Sequence, residues 1–279
     1  MKRAPYYLYM MKRYPLTAAG AAIVLLVVLA AVCAPVLAPY DPLALHLPDR
    51  LQPPGPAYPL GTDEMGRDIL SRVLYGARLS LLAGLGIVGL AAVGGMVIGS
   101  VSGFIGGRVE LVTMRLMDIM LAFPSLVLAL ALSAALGPNF RNSIIAVAVV
   151  KIPVYVRLVR GLTLSIKERQ FVKAARTFGA SRAWIISRHI LPNCLAPVIV
   201  QATLGIGEAI LIAAALSFIG LGAQPPAPEW GAMVSMGRTY LLDQWWYATF
   251  PGVAIFITVI GFNLFGDGVR DILDPRLRG

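Results

Sequence analysis

Stretches free of Asp, Glu, Lys and Arg alternate along the chain with short polar segments: Tyr14–Tyr40, Leu79–Gly107, Ile119–Phe140, His189–Gly207, Ala209–Pro228 and Gln244–Gly266. Each approaches the ~20 residues a helix needs to cross the ~30 Å hydrocarbon layer of a bilayer. The pattern predicts six spans, at 16–38, 79–105, 116–136, 143–160, 195–221 and 247–266. The fourth is interrupted by Lys151, Pro153 and Arg157. It therefore reads as a helix shielded by its neighbours, with long cations reaching toward the inner surface. Pro124 and Pro153 predict bends in their helices.

Smaller periodicities refine this outline. Ala91, Gly95, Gly99, Gly103 and Gly107 recur every fourth residue, a small-residue face that lets another helix approach closely. Gly84 to Gly89 matches a dinucleotide GxGxxG string, but inside an apolar run with no strand before it, so it reads as packing. Ile69, Leu70, Val73 and Leu74, with Asp68 and Arg72 four apart on the other side, predict a short amphipathic helix on the outer surface. Trp230, Tyr240, Trp245, Trp246 and Tyr247 suggest an outer aromatic belt.

The segment from Ser165 to Pro192 is too polar to span and carries helix punctuation. Ser165 with Glu168 makes a capping-box signal, and Phe171, Ala174, Ala175 and Phe178 recur at i, i+3, i+4 and i+7. Gly179 can close that helix in a left-handed conformation, Ser181 can cap a second, and Pro192 stops it. The apolar stripe either packs on the protein's own inner helix ends or receives a partner, and Lys167, Arg169, Lys173 and Arg176 would steer an acidic one. Periodicity alone leaves both readings open.

Composition and charge agree with a membrane chain. Apolar residues make up 58% and charged residues 14% of the 279, which excludes a disordered chain, a disulfide scaffold and a soluble enzyme with one core. Cys33 and Cys194 are too few for a disulfide framework, and His46 and His189 lack neighbouring ligands, so no metal site is expected. The first apolar run is longer than a signal-peptide core of 7–15 residues and reads as a retained span. The net charge of +10 is concentrated before span one (Lys2, Arg3, Lys12, Arg13), after span two (Arg108, Arg115) and before span five, from Arg157 to Arg188. The positive-inside rule places these segments and both termini in the cytoplasm.

Lys173-Ala174-Ala175, three residues, Gly179, nine residues, then His189-Ile190-Leu191-Pro192 resembles the EAA loop of ABC importer permeases. Lys173 stands where that pattern has Glu and His189 where it has Ile, so any salt bridge of that Glu is not carried over. Leu60 to Asp68, Leu216 to Gly222, and Asn263 to Asp271 with Asp274-Pro275-Arg276 are similar to the dipeptide, oligopeptide and nickel importer permeases, specifically the second, C-type subunit. That family often has a carboxylate just before its Leu-Ser-Phe run, where this chain has alanines and an earlier Glu208.

The resemblance implies an all-α, polytopic membrane protein with six transmembrane helices and the ABC type I importer permease fold. Its organisation would be a cytoplasmic N-terminus (1–15), a first transmembrane helix (16–38), an extracytoplasmic loop with an amphipathic helix (39–78), a five-helix permease core (79–266) including the cytoplasmic coupling loop (161–193), and a cytoplasmic C-terminus (267–279). It further implies a homologous second permease subunit, two cytoplasmic ABC ATPases and an extracytoplasmic substrate-binding protein. The ATPases would dock on Phe171, Lys173, Ala174, Ala175, Arg176, Phe178, Gly179, His189, Leu191 and Pro192.

No Gly is followed by Lys, so the chain has no GxxxxGK[ST] phosphate loop, and ATP and Mg are expected on the separate ATPases. No catalytic residue or cofactor is assigned to this chain. Asp118 and Glu208 are candidates for the translocation pathway, because intramembrane carboxylates are functional by default. For Asp118 the simpler expectation is pairing with Arg115. The alternative function is an ion- or proton-coupled secondary transporter titrating Asp118 or Glu208, although the paired broken-helix halves of such carriers are not evident.

Overall fold

The computed structural model describes residues 15–273, and all of its regular elements among these are helical. Lys2, Arg3, Lys12, Arg13 and the Asp274-Pro275-Arg276 motif lie outside the described residues. The helices are α1 (Pro15–Leu37), α2 (Ile69–Ile105), α3 (Gly107–Ala122), α4 (Ser125–Leu136), α5 (Phe140–Ile166), α6 (Gln170–Thr177), α7 (Arg182–Ile219), α8 (Trp230–Gly237) and α9 (Trp246–Leu273). Five are long and apolar enough to cross a membrane, and α3 with α4 makes a sixth span if the bent pair is one crossing.

The amphipathic helix expected at the surface is not a separate element. Asp68 caps α2, accepting from the Ser71 backbone N–H at 2.7 Å and its hydroxyl at 2.6 Å, and the helix then runs without a proline to Gly106. At 1.5 Å per residue its 37 residues reach about 55 Å, well beyond the hydrocarbon layer. The Asp68–Arg72 pair does not form, because Asp68 is committed to capping. Arg72 is instead buried, with Nε 3.5 Å from Asp63 Oδ2 and Nη1 donating to the Pro42 carbonyl at 2.9 Å.

Span three breaks where Pro124 removes a backbone donor. Phe123 is extended (φ −89°, ψ 142°), as a residue before proline prefers, and α3 and α4 meet at 98°. Pro153, by contrast, leaves α5 uninterrupted. Pro192 does not stop a helix either. A π-helical turn at Ile186–Ile190 widens the backbone just before it, so α7 continues from Arg182 to Ile219 with Pro192 where the ordinary ladder is already interrupted.

The small-residue face of α2 is where it meets α5. A Cβ on Gly99 would lie 2.7 Å from the Val156 carbonyl and 3.0 Å from Val159 Cβ, and one on Gly103 would lie 3.0 Å from the Arg160 carbonyl. Gly95 abuts Tyr155 in the same seam, whereas Gly107 has open space. Gly84 packs on Ile210 of α7, in keeping with packing rather than nucleotide binding.

The aromatic belt is largely an internal cluster. Trp230, Trp246 and Tyr247 are buried, with indole N–H groups donating to the Val73 and Thr62 carbonyls at 2.9 and 3.3 Å. Only Trp245 is well exposed among the four aromatics at 230 and 245–247. The loop between α1 and α2 folds over them: Leu47–Asp49 makes a 3-10 turn, Thr62 bridges to Asp68, and the Tyr58 hydroxyl donates to Asp49 at 2.9 Å. That bond to a carboxylate pushes the Tyr58 phenol up to about 12.

Candidate functional site

The polar segment after α5 forms an exposed elbow. Ser165 falls inside the last turn of α5, so the expected capping box is not made; α6 begins at Gln170, with Arg169 contributing no side-chain cap. Glu168 pairs instead with Lys173 at 3.1 Å, an exposed contact of the kind that contributes ~0–1 kcal/mol. The turn follows the sequence reading closely. Gly179 sits at φ +81°, a left-handed position glycine adopts without a Cβ penalty, and the Ser181 hydroxyl accepts from the Trp184 N–H at 3.3 Å.

Burial divides the members of the apolar stripe. The anchors that seat the elbow on the bundle are Val172, Ile185 and Ile190, all at 1% exposure or less, and only Ala175 of the stripe packs on that core. Phe178 is 90% exposed, and Ala174 is exposed beside it. Phe178 and Ala174 therefore face away from the chain's own helix ends, while Ala175 faces them. Phe171 and Trp184 flank His189, with ring centroids 5.5 and 5.0 Å away, which sets the second helix against the first. The Arg176 guanidinium lies 4.7 Å from the Phe104 ring centroid, so α6 is also tied to the end of α2. Leu191 is half-buried and Pro192 exposed at the start of the membrane part of α7.

The remaining candidates, Asp118 and Glu208, pair with cations of α5. Lys151 pairs with Glu208 of α7, Arg157 Nη2 donates to Asp118 of α3 at 2.5 Å, and Arg160 Nε donates to Glu110 of α3 at 2.6 Å. These cations of α5 are thus paired with carboxylates of adjacent helices. Asp118 is not paired with Arg115, because the fold brings α5 across α3 and offers a second guanidinium. Lys167 continues the line, donating to the Gly103 carbonyl at 2.9 Å.

The elbow and the ion pairs are separate. Phe171, Lys173, Ala174, Ala175, Arg176, Phe178, Gly179, His189, Leu191 and Pro192 share one end of the bundle, while Asp118 and Glu208 meet different cations along α5. Sequence reasoning missed the anchor Val172, the ring of Trp184 and the partners Lys151, Glu110 and Arg160. Val172 was recoverable in principle, since it heads the apolar series Val172, Ala175 on the other edge of the same helix. The ion partners carry no such signal, because they depend on which helices become neighbours.

Two family models match the chain. Residues 95–279 match the binding-protein-dependent transport system inner membrane component, and residues 8–54 match the N-terminal TM domain of oligopeptide transport permease C. The chain is 56% identical over 271 residues to a probable D,D-dipeptide transport system permease protein of Escherichia coli (strain K12), covering 97% of this chain and 91% of that protein. It is 49% identical over 265 residues to a di/tripeptide transport system permease protein of Pseudomonas aeruginosa (strain UCBPP-PA14), covering 93% and 88%. A dipeptide transport system permease protein of Alkalihalophilus pseudofirmus is 46% identical over 268 residues, covering 96% and 88%.

Proposed function

Because this chain belongs to the family of binding-protein-dependent transport system inner membrane components, we propose that its exposed elbow transmits the motion of a separate ATPase to a peptide pathway. The chain is a multi-pass inner-membrane permease of the peptide ABC-importer type. Its cargo is a short peptide, as the names of the relatives suggest, and its partners are a homologous second permease, two cytoplasmic ATPases carrying ATP and Mg, and an extracytoplasmic binding protein. Both termini and the elbow lie in the cytoplasm, consistent with the basic segments.

The observation that carries this reading is Phe178, 90% exposed beside Ala174 on an elbow whose reverse side is held by fully buried Val172. An aromatic side chain next to a small residue is a knob beside a shallow seat, the arrangement that concentrates binding energy at interfaces. Closure of the ATPases on ATP would move α6 as a rigid lever. Its ties to α2 through Arg176 and to α5 through the short Lys167–Arg169 link carry that displacement into the bundle. ATP must act differently on the two conformations for this to drive transport.

The test is peptide uptake by vesicles holding the complete transporter, supplied with ATP while ion gradients are collapsed. Persistent uptake, with a crosslinker at Ala175 capturing the ATPase, is expected. Uptake that stops when the gradients collapse would overturn this reading in favour of an ion-coupled carrier. Active uptake with no ATPase captured around Ala175 would remove the elbow from the mechanism.

A further inference from the structure

Lys151 and Glu208 stand at matching depth. Lys151 is 11 residues from the Phe140 end of α5, and Glu208 is 11 residues from the Ile219 end of α7, so each is roughly 16 Å along its helix. The antiparallel course of the two helices brings them together near the middle of the bundle. The ammonium is the sheltered partner, with 13% of its side chain exposed, while 57% of the Glu208 side chain is exposed. Lys151 approaches the carboxylate at Oε1, and more than half of the Glu208 side chain stays open beside that contact. Gly205, three residues earlier, leaves room for the buried Tyr155 hydroxyl, and the side chain of Asn263 approaches α7 at Gly207.

An ionised carboxylate turned toward lipid at this depth would be costly, and intramembrane charges usually face a bundle interior or a water-filled cavity. The pairing balances the Glu208 charge on the side facing α5 and leaves more than half of its side chain exposed. Resting on the peptide-importer reading above, we propose that Glu208 lines the aqueous pathway and takes the free amino terminus of a passing peptide. Lys151 is a positioning residue that holds the carboxylate aimed, and the peptide's own carboxylate can meet the ammonium as the pair opens. The ligand class is a zwitterionic short peptide. The exchange is one of ion pairs, so no covalent bond changes.

The experiment uses the complete transporter in proteoliposomes, with Cys33 and Cys194 replaced by serine and alanine. Glu208→Cys is treated with membrane-impermeant thiosulfonates bearing either a sulfonate or a trimethylammonium group. Labelling is expected from water, with the sulfonate at least several-fold faster because Lys151 is left unpaired, and a transported dipeptide should slow it during turnover. Lys151→Met with Glu208→Cys removes both charges, leaves no orphaned ion, and should still label but with that preference gone. Glu208→Gln should slow maximal dipeptide uptake about tenfold, the order expected for one lost charge-assisted bond.

Failure of both impermeant reagents in every nucleotide state, with reaction only to a membrane-permeant maleimide, would overturn the proposal. Labelling unaffected by dipeptide, in a preparation transporting it, would overturn the peptide contact. These results are distinct from a failure of the transport reading, because labelling requires no uptake and the parent preparation reports uptake separately.

Discussion

Truncating Phe178 to alanine separates what the elbow does for its own chain from what it offers a partner. The side chain is 90% exposed, so Phe178→Ala removes almost no packing within the chain, and the thermal midpoint of the purified permease should shift by less than about 0.5 kcal/mol equivalent. Burying a phenylalanine against an ATPase is worth roughly 2–3 kcal/mol. At 1.4 kcal/mol per decade the ATPase should bind about 30- to 150-fold more weakly. The assay is ATPase association with the permease held in nanodiscs, titrated with and without ATP and read beside a melting curve. Val172→Asp is the contrast: its carboxylate would replace a fully buried side chain and disturb the elbow's seat, lowering both stability and association. Wild-type affinity in Phe178→Ala would refute the reasoning, since the most exposed apolar side chain of the elbow would then face no partner.

The seam between α2 and α5 yields an opposed pair. Gly99→Ala should destabilise by about 1–3 kcal/mol, because its Cβ would press on the Val156 carbonyl and Val159, whereas exposed Gly89, with nothing within 4 Å, should gain up to ~1 kcal/mol as alanine; melting in detergent distinguishes them. Glu229 caps α8 through the Ala232 N–H at 2.9 Å, and burial raises its pKa. The folded state then holds a proton the unfolded state releases, so stability falls as pH rises from the unfolded pKa through the raised one; melting across that range should show this slope in the parent and its loss in Glu229→Gln. A double-mutant cycle on Asp118→Asn and Arg157→Gln should give a coupling of about 0.2–1 kcal/mol, the range for half-exposed pairs, and a coupling indistinguishable from zero would remove the pair as a stabilising contact.

The site was partly legible beforehand for identifiable reasons. Gly179 and Ser181 act through local backbone geometry, which spacing reveals directly, and both occupy their expected roles. Ser165 and Glu168 carried an equally local signal that lost, because α5 continues through Ser165. Asp68 shows the same competition: it could cap a helix or pair with Arg72, and the cap won once Asp63 and the Pro42 carbonyl supplied Arg72 with other partners.

The linear order of apolar and charged residues was enough to specify a helical membrane chain, the approximate course of its crossings, the glycine face on α2 and the turn at Gly179, since each follows from desolvation of the backbone or from steric limits within a few residues. Assembly of the helices decided which side of α6 is seated and which is open, which acid meets each cation of α5, and that Trp230 and Tyr247 turn inward. Those outcomes join residues tens to hundreds of positions apart. A periodic pattern marks which face of a helix is apolar, but the neighbour covering that face exists only after the other helices have packed.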